Sequence, residues 1–135
     1  MFAFVFVSEA NAQSNIRFAK GASSKTMSVS VPANGEKTFS VQVKEDQVIN
    51  IQISGDINIS KTTEFPVISV NLTNGEDGVD NWQDGEGYLS ILTGKKGIYV
   101  FSVANSDSKR ARTFTMKVSV TNDRADFVGG EEVNQ

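Results

Sequence analysis

Two groups of charged side chains could give this chain its chemistry, and the first of them is basic. Lys109, Arg110 and Arg112 fall within four positions of the chain, in a polar turn that begins Asn-Ser-Asp-Ser. A guanidinium group on a projecting turn can make two parallel hydrogen bonds to a carboxylate, such as those that line a glycosidase cleft. Taken alone, the pattern is more typical of a solvated hairpin tip, and the alternative is a site that binds a partner protein.

The second group is an acidic, glycine-rich segment between residues 74 and 87. Its carboxylates are Glu76, Asp77, Asp80, Asp84 and Glu86. These carry enough oxygen ligands for a calcium ion, with Asp77, Asp80 and Asp84 as the candidate ligands. Because their spacing is not that of an EF-hand, the pattern favours a solvated loop that charge repulsion keeps open.

Trp82, the only tryptophan of the chain, lies inside this acidic segment. An exposed indole could anchor a partner or stack on a sugar. An indole in a loop can equally pin that loop onto the body of the domain. Both interpretations stay open, and Trp82 joins the basic residues as a candidate for partner binding.

The side chains that most often act as general base or as zinc ligand are absent from the sequence. It contains no histidine and no cysteine, which removes the commonest general base and the usual ligands of zinc. No pair of carboxylates is set across an identifiable cleft by the sequence pattern. We therefore predict a binding protein that needs no cofactor, and not an enzyme.

Charge and hydropathy exclude two further classes of partner. The 13 Lys and Arg residues are outnumbered by 16 Asp and Glu residues, a formal net charge of -3, so there is no basic field of the kind that binds nucleic acid. No apolar run approaches the roughly 20 residues that span a bilayer. The sequence predicts neither nucleic-acid binding nor a membrane anchor.

The elements that must position these residues are β-strands. Apolar residues alternate with polar ones from about residue 24 onward, a period typical of strands with one buried face. The predicted strands span residues 16–18, 27–31, 39–43, 48–53, 67–72, 88–92, 98–103 and 113–120. With no helical period and with turn residues between the strands, the pattern predicts an all-β fold, an antiparallel β-sandwich of about eight strands. The segment 74–87 is predicted as a long loop.

The chain divides into one domain and two tails. Residues 1–12 combine an apolar patch with the small-residue pattern Ala10-Asn11-Ala12, which indicates the end of a secretory signal peptide. A buried first strand is the alternative. Residues 13–121 form the predicted sandwich domain, and residues 122–135 a flexible polar tail. A signal peptide predicts a periplasmic or secreted protein.

Two segments carry a resemblance to a known family. IRFAKGASS, at residues 16–24, and GIYVFSVANSDSKRARTFTMKVSV, at residues 97–120, resemble the bacterial periplasmic inhibitors of g-type (goose-type) lysozyme. The resemblance implies an antiparallel β-sandwich that blocks the active-site cleft of a lysozyme with its loops. It also implies that Lys109, Arg110 and Arg112, in the turn before the last strand, contact the lysozyme.

A second family leaves another function open. The Gly-x-Tyr strand, the polar turn and the final aromatic-Thr strand also resemble bacterial pre-peptidase C-terminal domains, which are accessory β-sandwiches of secreted proteins. This resemblance implies a domain that binds cell-wall glycan or matrix through Trp82 and the acidic segment, with or without calcium. The exposed edge strands of such a sandwich would also allow pairing into a homodimer.

Overall fold

The computed structural model describes residues 14–57, 68–72, 78–123 and 127. These ranges contain nine β-strands and the turns between them. The strands are β1 (Ser14–Ile16), β2 (Ser24–Val31), β3 (Glu36–Val43), β4 (Val48–Gly55), β5 (Ile68–Leu72), β6 (Gly78–Gln83), β7 (Glu86–Leu92), β8 (Gly97–Asn105) and β9 (Arg112–Thr121). These described ranges contain no helix, and so none long and apolar enough to cross a membrane.

The strands form two sheets. One has four strands in the order β1-β3-β8-β5, and the other has five in the order β2-β9-β4-β7-β6. The short β1 runs parallel to β3, and the other strand pairs of both sheets are antiparallel. The predicted all-β antiparallel sandwich is confirmed, with one strand more than the eight expected.

The core lies between the two sheets and follows the alternation of the sequence. In β4, Ile49, Ile51 and Ile53 are buried, and side chains at every second position of a strand share one face. From the four-stranded sheet, Phe101 packs against Phe39 with ring centroids 5.4 Å apart. Because each inner face is apolar, the sandwich is held together mainly by the burial of branched aliphatic and aromatic side chains.

Strand β6 corrects the prediction of a long loop over residues 74–87. Residues 78–83 form a strand that pairs antiparallel with β7, from Gly78 opposite Ile91 to Gln83 opposite Glu86. The connection between them is the two-residue turn Asp84-Gly85, in which Gly85 has φ of 90°, a conformation that favours glycine. Since β6 is an edge strand, it needs few apolar residues, and the sequence pattern therefore concealed it.

Several predictions fall at or beyond the ends of the described ranges. The signal peptide at residues 1–12 lies outside the described residues, as does most of the predicted tail at residues 122–135. The opening strand lies at Ser14–Ile16 and not at residues 16–18. Its register with β3, Ile16 opposite Val41, buries Ile16 in the core.

Candidate functional site

The predicted basic turn lies at one end of the sandwich, where three other connections meet it. We call residues 106–111, between β8 and β9, the basic loop. Beside it are the β2–β3 turn, the residues that follow β4, and the β6–β7 turn. The amide of Asn34 donates to the carbonyl of Asp107 at 3.0 Å, which joins the β2–β3 turn to the basic loop.

The β6–β7 turn is attached to the same end through the residues after β4. The amide of Gly55 donates to the carbonyl of Gly85, and the amide of Gly85 donates to the carbonyl of Ile57, both at 2.9 Å. Asp56, between these two hydrogen bonds, is a direct partner of the basic loop. The fold therefore brings the basic loop and the turn that follows Trp82 to one end of the sandwich.

Asn105, the last residue of β8, fixes the course of the basic loop. Its side chain is almost fully buried, and its amide nitrogen lies 3.1 Å from the carbonyls of Val31 and Arg110 and 3.3 Å from that of Pro32. Its side-chain oxygen accepts the amide of Asp107 at 2.9 Å. One side chain thus ties the start and the end of the loop to the end of β2.

Arg112 lies at the base of the basic loop with its side chain only 9% exposed. Its Nε and Nη2 donate to Oδ2 of Asp107 at 3.1 and 2.9 Å, and its Nη1 donates to Oδ1 of Asp56 at 3.1 Å. A rigid guanidinium fork can hold two carboxylates at once in this way. Arg112 therefore links the loop to the residues after β4.

Arg110 lies further out, with 54% of its side chain exposed. Its two terminal nitrogens donate to the two oxygens of Asp56 at 2.7 and 3.0 Å. Lys109 is exposed beside it, and its backbone amide donates to Oδ1 of Asp107 at 2.8 Å. Of the three predicted basic residues, Lys109 and Arg110 face solvent, whereas Arg112 is engaged inside the molecule.

The charges of this end are mixed. The carboxylates of Asp56 and Asp107 oppose three cations, those of Lys109, Arg110 and Arg112, and the adjoining β6–β7 turn adds the exposed carboxylate of Asp84. Hydrogen bonds from Arg110 lower the pKa of Asp56 below its ordinary value of 3.8. The backbone amide of Lys109, followed by the Arg112 side chain, lowers the pKa of Asp107 in the same way. Both carboxylates are therefore ionised at neutral pH.

These two lowered pKa values predict a loss of stability in acid. A carboxyl whose pKa is lower in the folded chain contributes stability that is complete above its unfolded pKa, about 3.9, and that is lost as the pH falls through the folded value. We expect the urea concentration at the midpoint of denaturation, followed by circular dichroism, to decrease as the pH is lowered below about 4. The double variant Asp56→Asn, Asp107→Asn should show a shallower fall, whereas the control Asp46→Asn, in the β3–β4 turn, should not. An equally steep fall in the double variant would contradict this role for the two carboxylates.

Trp82 and the calcium candidates lie on or beside β6. Trp82 pairs with Gly87 across the β6–β7 ladder, and Asp80 pairs with Leu89. Asp80 and Asp84 are exposed, and Asp77 lies outside the described residues. Over the described ranges, no cluster of three or more acidic side chains forms a metal site.

Sequence reasoning missed Asp56, Asn105 and Asp107, which hold the basic loop in place. One available signal concerned Arg112, because it lies two positions before Phe114 and four before Met116 and so falls on the inward-facing positions of β9. The other signal was the short Asn-Ser-Asp-Ser run, since Asn and Asp favour turns that their side chains close. No local pattern indicated Asp56, which is 54 positions from Arg110.

Solved structures provide the comparison for this fold. The chain is similar to PliG of Aeromonas hydrophila, a periplasmic inhibitor of g-type lysozyme, with a TM-score of 0.59 and 19% identity over 81% of this chain and 96% of the other. The chain is also similar to a mutant of the corresponding inhibitor from Escherichia coli, with a TM-score of 0.57 and 15% identity over 81% of this chain and 97% of the other. The chain has the fold of the periplasmic inhibitors of g-type lysozyme. The resemblance noted from the sequence is thereby confirmed at the level of the fold.

More distant likeness extends to the second family that the sequence resembles. The pre-peptidase C-terminal domain of a Bacillus anthracis collagenase matches with a TM-score of 0.48 and 15% identity, over 82% of this chain and 96% of the other. No protein-family model and no curated protein sequence matches the chain.

Proposed function

We propose that this chain is an exported inhibitor of g-type lysozyme that binds the cleft of the enzyme with the end of the sandwich that carries the basic loop. The observation that supports this most strongly is the fold, which the chain shares with such inhibitors over nearly their whole length. The sequence resemblance supports it further, since one of its two segments, residues 97–120, contains the basic loop and the two strands that flank it.

Lys109 and Arg110 are the proposed contact residues. Both are exposed on the basic loop, and their own cationic groups would attract the carboxylates that glycosidases carry in their clefts. Arg110 has a fork geometry that suits bidentate capture of a carboxylate. To bind one, it would share or exchange the contact that it makes with Asp56.

Arg112 has a different part in this proposal. Because its guanidinium is bound to Asp107 and Asp56 inside the molecule, it positions the loop and leaves contact to Lys109 and Arg110. Trp82, which precedes the neighbouring turn, is a further proposed contact at the same end. An arrangement held by internal ion pairs and by Asn105 limits the conformational entropy that the loop loses on binding.

Inhibition of this kind needs no catalytic group and no cofactor. A domain that occupies a cleft acts by excluding substrate, which agrees with a chain that lacks histidine and cysteine. We therefore propose a protein that is not itself an enzyme. A periplasmic or secreted location follows from the same proposal, since lysozymes act on the cell wall.

The purified chain should inhibit cell-wall hydrolysis by goose-type lysozyme. We expect inhibition at micromolar concentration or below, measured as the rate at which a suspension of bacterial cells clears. Chicken-type lysozyme is the control for specificity and should be unaffected. If goose-type lysozyme keeps its full rate in the presence of this protein at micromolar concentration, lysozyme inhibition is not its function and the likeness is one of fold alone.

A further inference from the structure

The outer face of the five-stranded sheet carries a groove that the basic loop does not use. It has a volume of about 420 Å³, and the strands that cross its floor are those whose opposite face packs into the core. Most of its lining side chains alternate with the buried residues of the same strands, so it is a surface of the sheet and not a gap in the core.

Two rows of side chains cross this groove in register. In the first, Lys117, Gln52, Tyr88 and Asn81 lie side by side on β9, β4, β7 and β6. The second row, one pleat further along, consists of Thr115, Ser54, Glu86 and Gln83. Neighbouring strands lie about 4.8 Å apart, so each row spans about 14 Å. A groove of this length accommodates an extended ligand built of a few residues or sugar units.

The chemistry of the lining is polar but nearly neutral. Gln52, Asn81 and Gln83 each provide a hydrogen-bond donor and an acceptor, and the threonine and serine residues add hydroxyl groups. Glu86 and Lys117 are the two charged residues among those that line the groove, and their charges cancel. Such a surface offers no field for an anion such as nucleic acid, and many partners for hydroxyl groups.

Tyr88 supplies the apolar part of this surface. It is half-buried in the middle of the first row, between the amides of Gln52 and Asn81. A pyranose ring has an apolar face of C–H groups and a rim of hydroxyls, so it can stack on an aromatic ring while its rim bonds to neighbouring amides. An aromatic side chain flanked by two amides is matched to that pattern.

We propose that this groove binds a neutral oligosaccharide, with one sugar stacked on Tyr88 and its hydroxyl groups bonded to Gln52 and Asn81. The row that contains Tyr88 is distinct from the basic loop, because it lies on the outer face of the sheet, whereas the loop and the β6–β7 turn lie at the end of the sheet, beyond the second row. It therefore provides attachment to a glycan surface whether or not the chain inhibits a lysozyme.

The test uses the full chain and three hexasaccharides, built of glucose, mannose and N-acetylglucosamine. We expect calorimetry to detect binding of at least one of them at millimolar concentration or tighter. Amide resonances of residues 52, 81 and 88 should shift in NMR spectra as that sugar is added. Tyr88→Ala should weaken the binding at least about tenfold, which corresponds to about 1.4 kcal/mol, whereas Tyr88→Phe should retain it.

A matched pair of glutamines provides the control. Gln52→Ala should weaken binding several-fold, whereas Gln42→Ala, which changes a glutamine that is also exposed but lies on the other sheet, should not. The proposal is overturned if none of the three sugars binds, or if Tyr88→Ala and Gln52→Ala bind as tightly as the unchanged chain. The proposal would also be overturned by a neutral polar peptide that shifts the same resonances and binds with higher affinity than every one of the sugars. Each variant should retain the circular dichroism spectrum of the unchanged chain, and Gln52→Ala tests the site in the case in which Tyr88→Ala does not fold.

Discussion

Replacing Asn105 with alanine is expected to destabilise the folded chain by about 3 kcal/mol, the cost of leaving several buried polar groups without partners. The Asn105 side chain is 2% exposed and lies against three backbone carbonyls while accepting the amide of Asp107. Alanine fills none of these roles and leaves a cavity. The basic loop should also become more mobile, because its two ends lose their common attachment.

Urea denaturation at neutral pH, followed by circular dichroism, measures this effect. Asn71→Ala is the matched control, because Asn71 is exposed in β5 and, among the described residues, its side chain makes a single long hydrogen bond, 3.5 Å to the hydroxyl of Ser69. The control should change the free energy of unfolding by less than about 0.5 kcal/mol. Equal stability of the two variants would show that Asn105 does not hold the loop.

The second large effect is expected at Arg112. Arg112→Ala removes the cation that bridges Asp107 and Asp56 and leaves Asp107 with 15% of its side chain exposed and without its closest cation. Breaking a fully buried ion pair costs about 3 to 5 kcal/mol, and because these carboxylates retain some contact with water we expect about 2 kcal/mol. The loss should shrink below about pH 4, where the carboxylates are protonated in the unfolded chain.

Two other arginines provide the comparison for Arg112. Arg110→Ala should cost much less than Arg112→Ala, because water screens an exposed ion pair, and Arg17→Ala, at an exposed position after β1, should cost less than about 0.5 kcal/mol. The midpoint of denaturation for each variant gives the order directly. If Arg112→Ala is as stable as Arg17→Ala, the ion pairs at the base of the loop contribute nothing.

Much of the fold could be predicted from the sequence because it depends on a local alternation. Phe114, Met116 and Val118 alternate with polar residues, and each is buried. Tyr99, Phe101 and Val103 repeat the pattern in β8. A period of two determines which face of a strand is inward without reference to the rest of the chain, so seven strands, β2 to β5 and β7 to β9, were placed from this signal and the turn residues between them.

Strand β6 was missed because its stability comes from a neighbour and not from its own apolar residues. It pairs with β7 through backbone hydrogen bonds. Because nearly every residue type can make these bonds through its backbone, they are hard to recognise from the pattern of side chains. The Asp84-Gly85 turn was the available signal, since Asp-Gly between two strands is typical of a tight hairpin. The acidic residues around it suggested a loop instead.

The candidate site divides in the same way. The three basic residues were found from their spacing, which is local. Their different environments could not be found, because Asp56 reaches the loop only through the pairing of β4 with β9. That pairing places Gly55 opposite Phe114 and thereby brings the next residue close to Arg112. A contact across 56 positions is a property of the topology.

The most direct test of lysozyme binding by the basic loop is calorimetric titration of goose-type lysozyme with three forms of the chain. The unchanged chain should bind at micromolar concentration or tighter, and Arg110→Ala should weaken the complex by about 2 kcal/mol, or about thirtyfold, as expected for a desolvated arginine at an interface. Lys95→Ala, in the β7–β8 turn, is the control and should bind like the unchanged chain. Equal affinity of all three forms, or weakening by Lys95→Ala alone, would contradict binding through the basic loop.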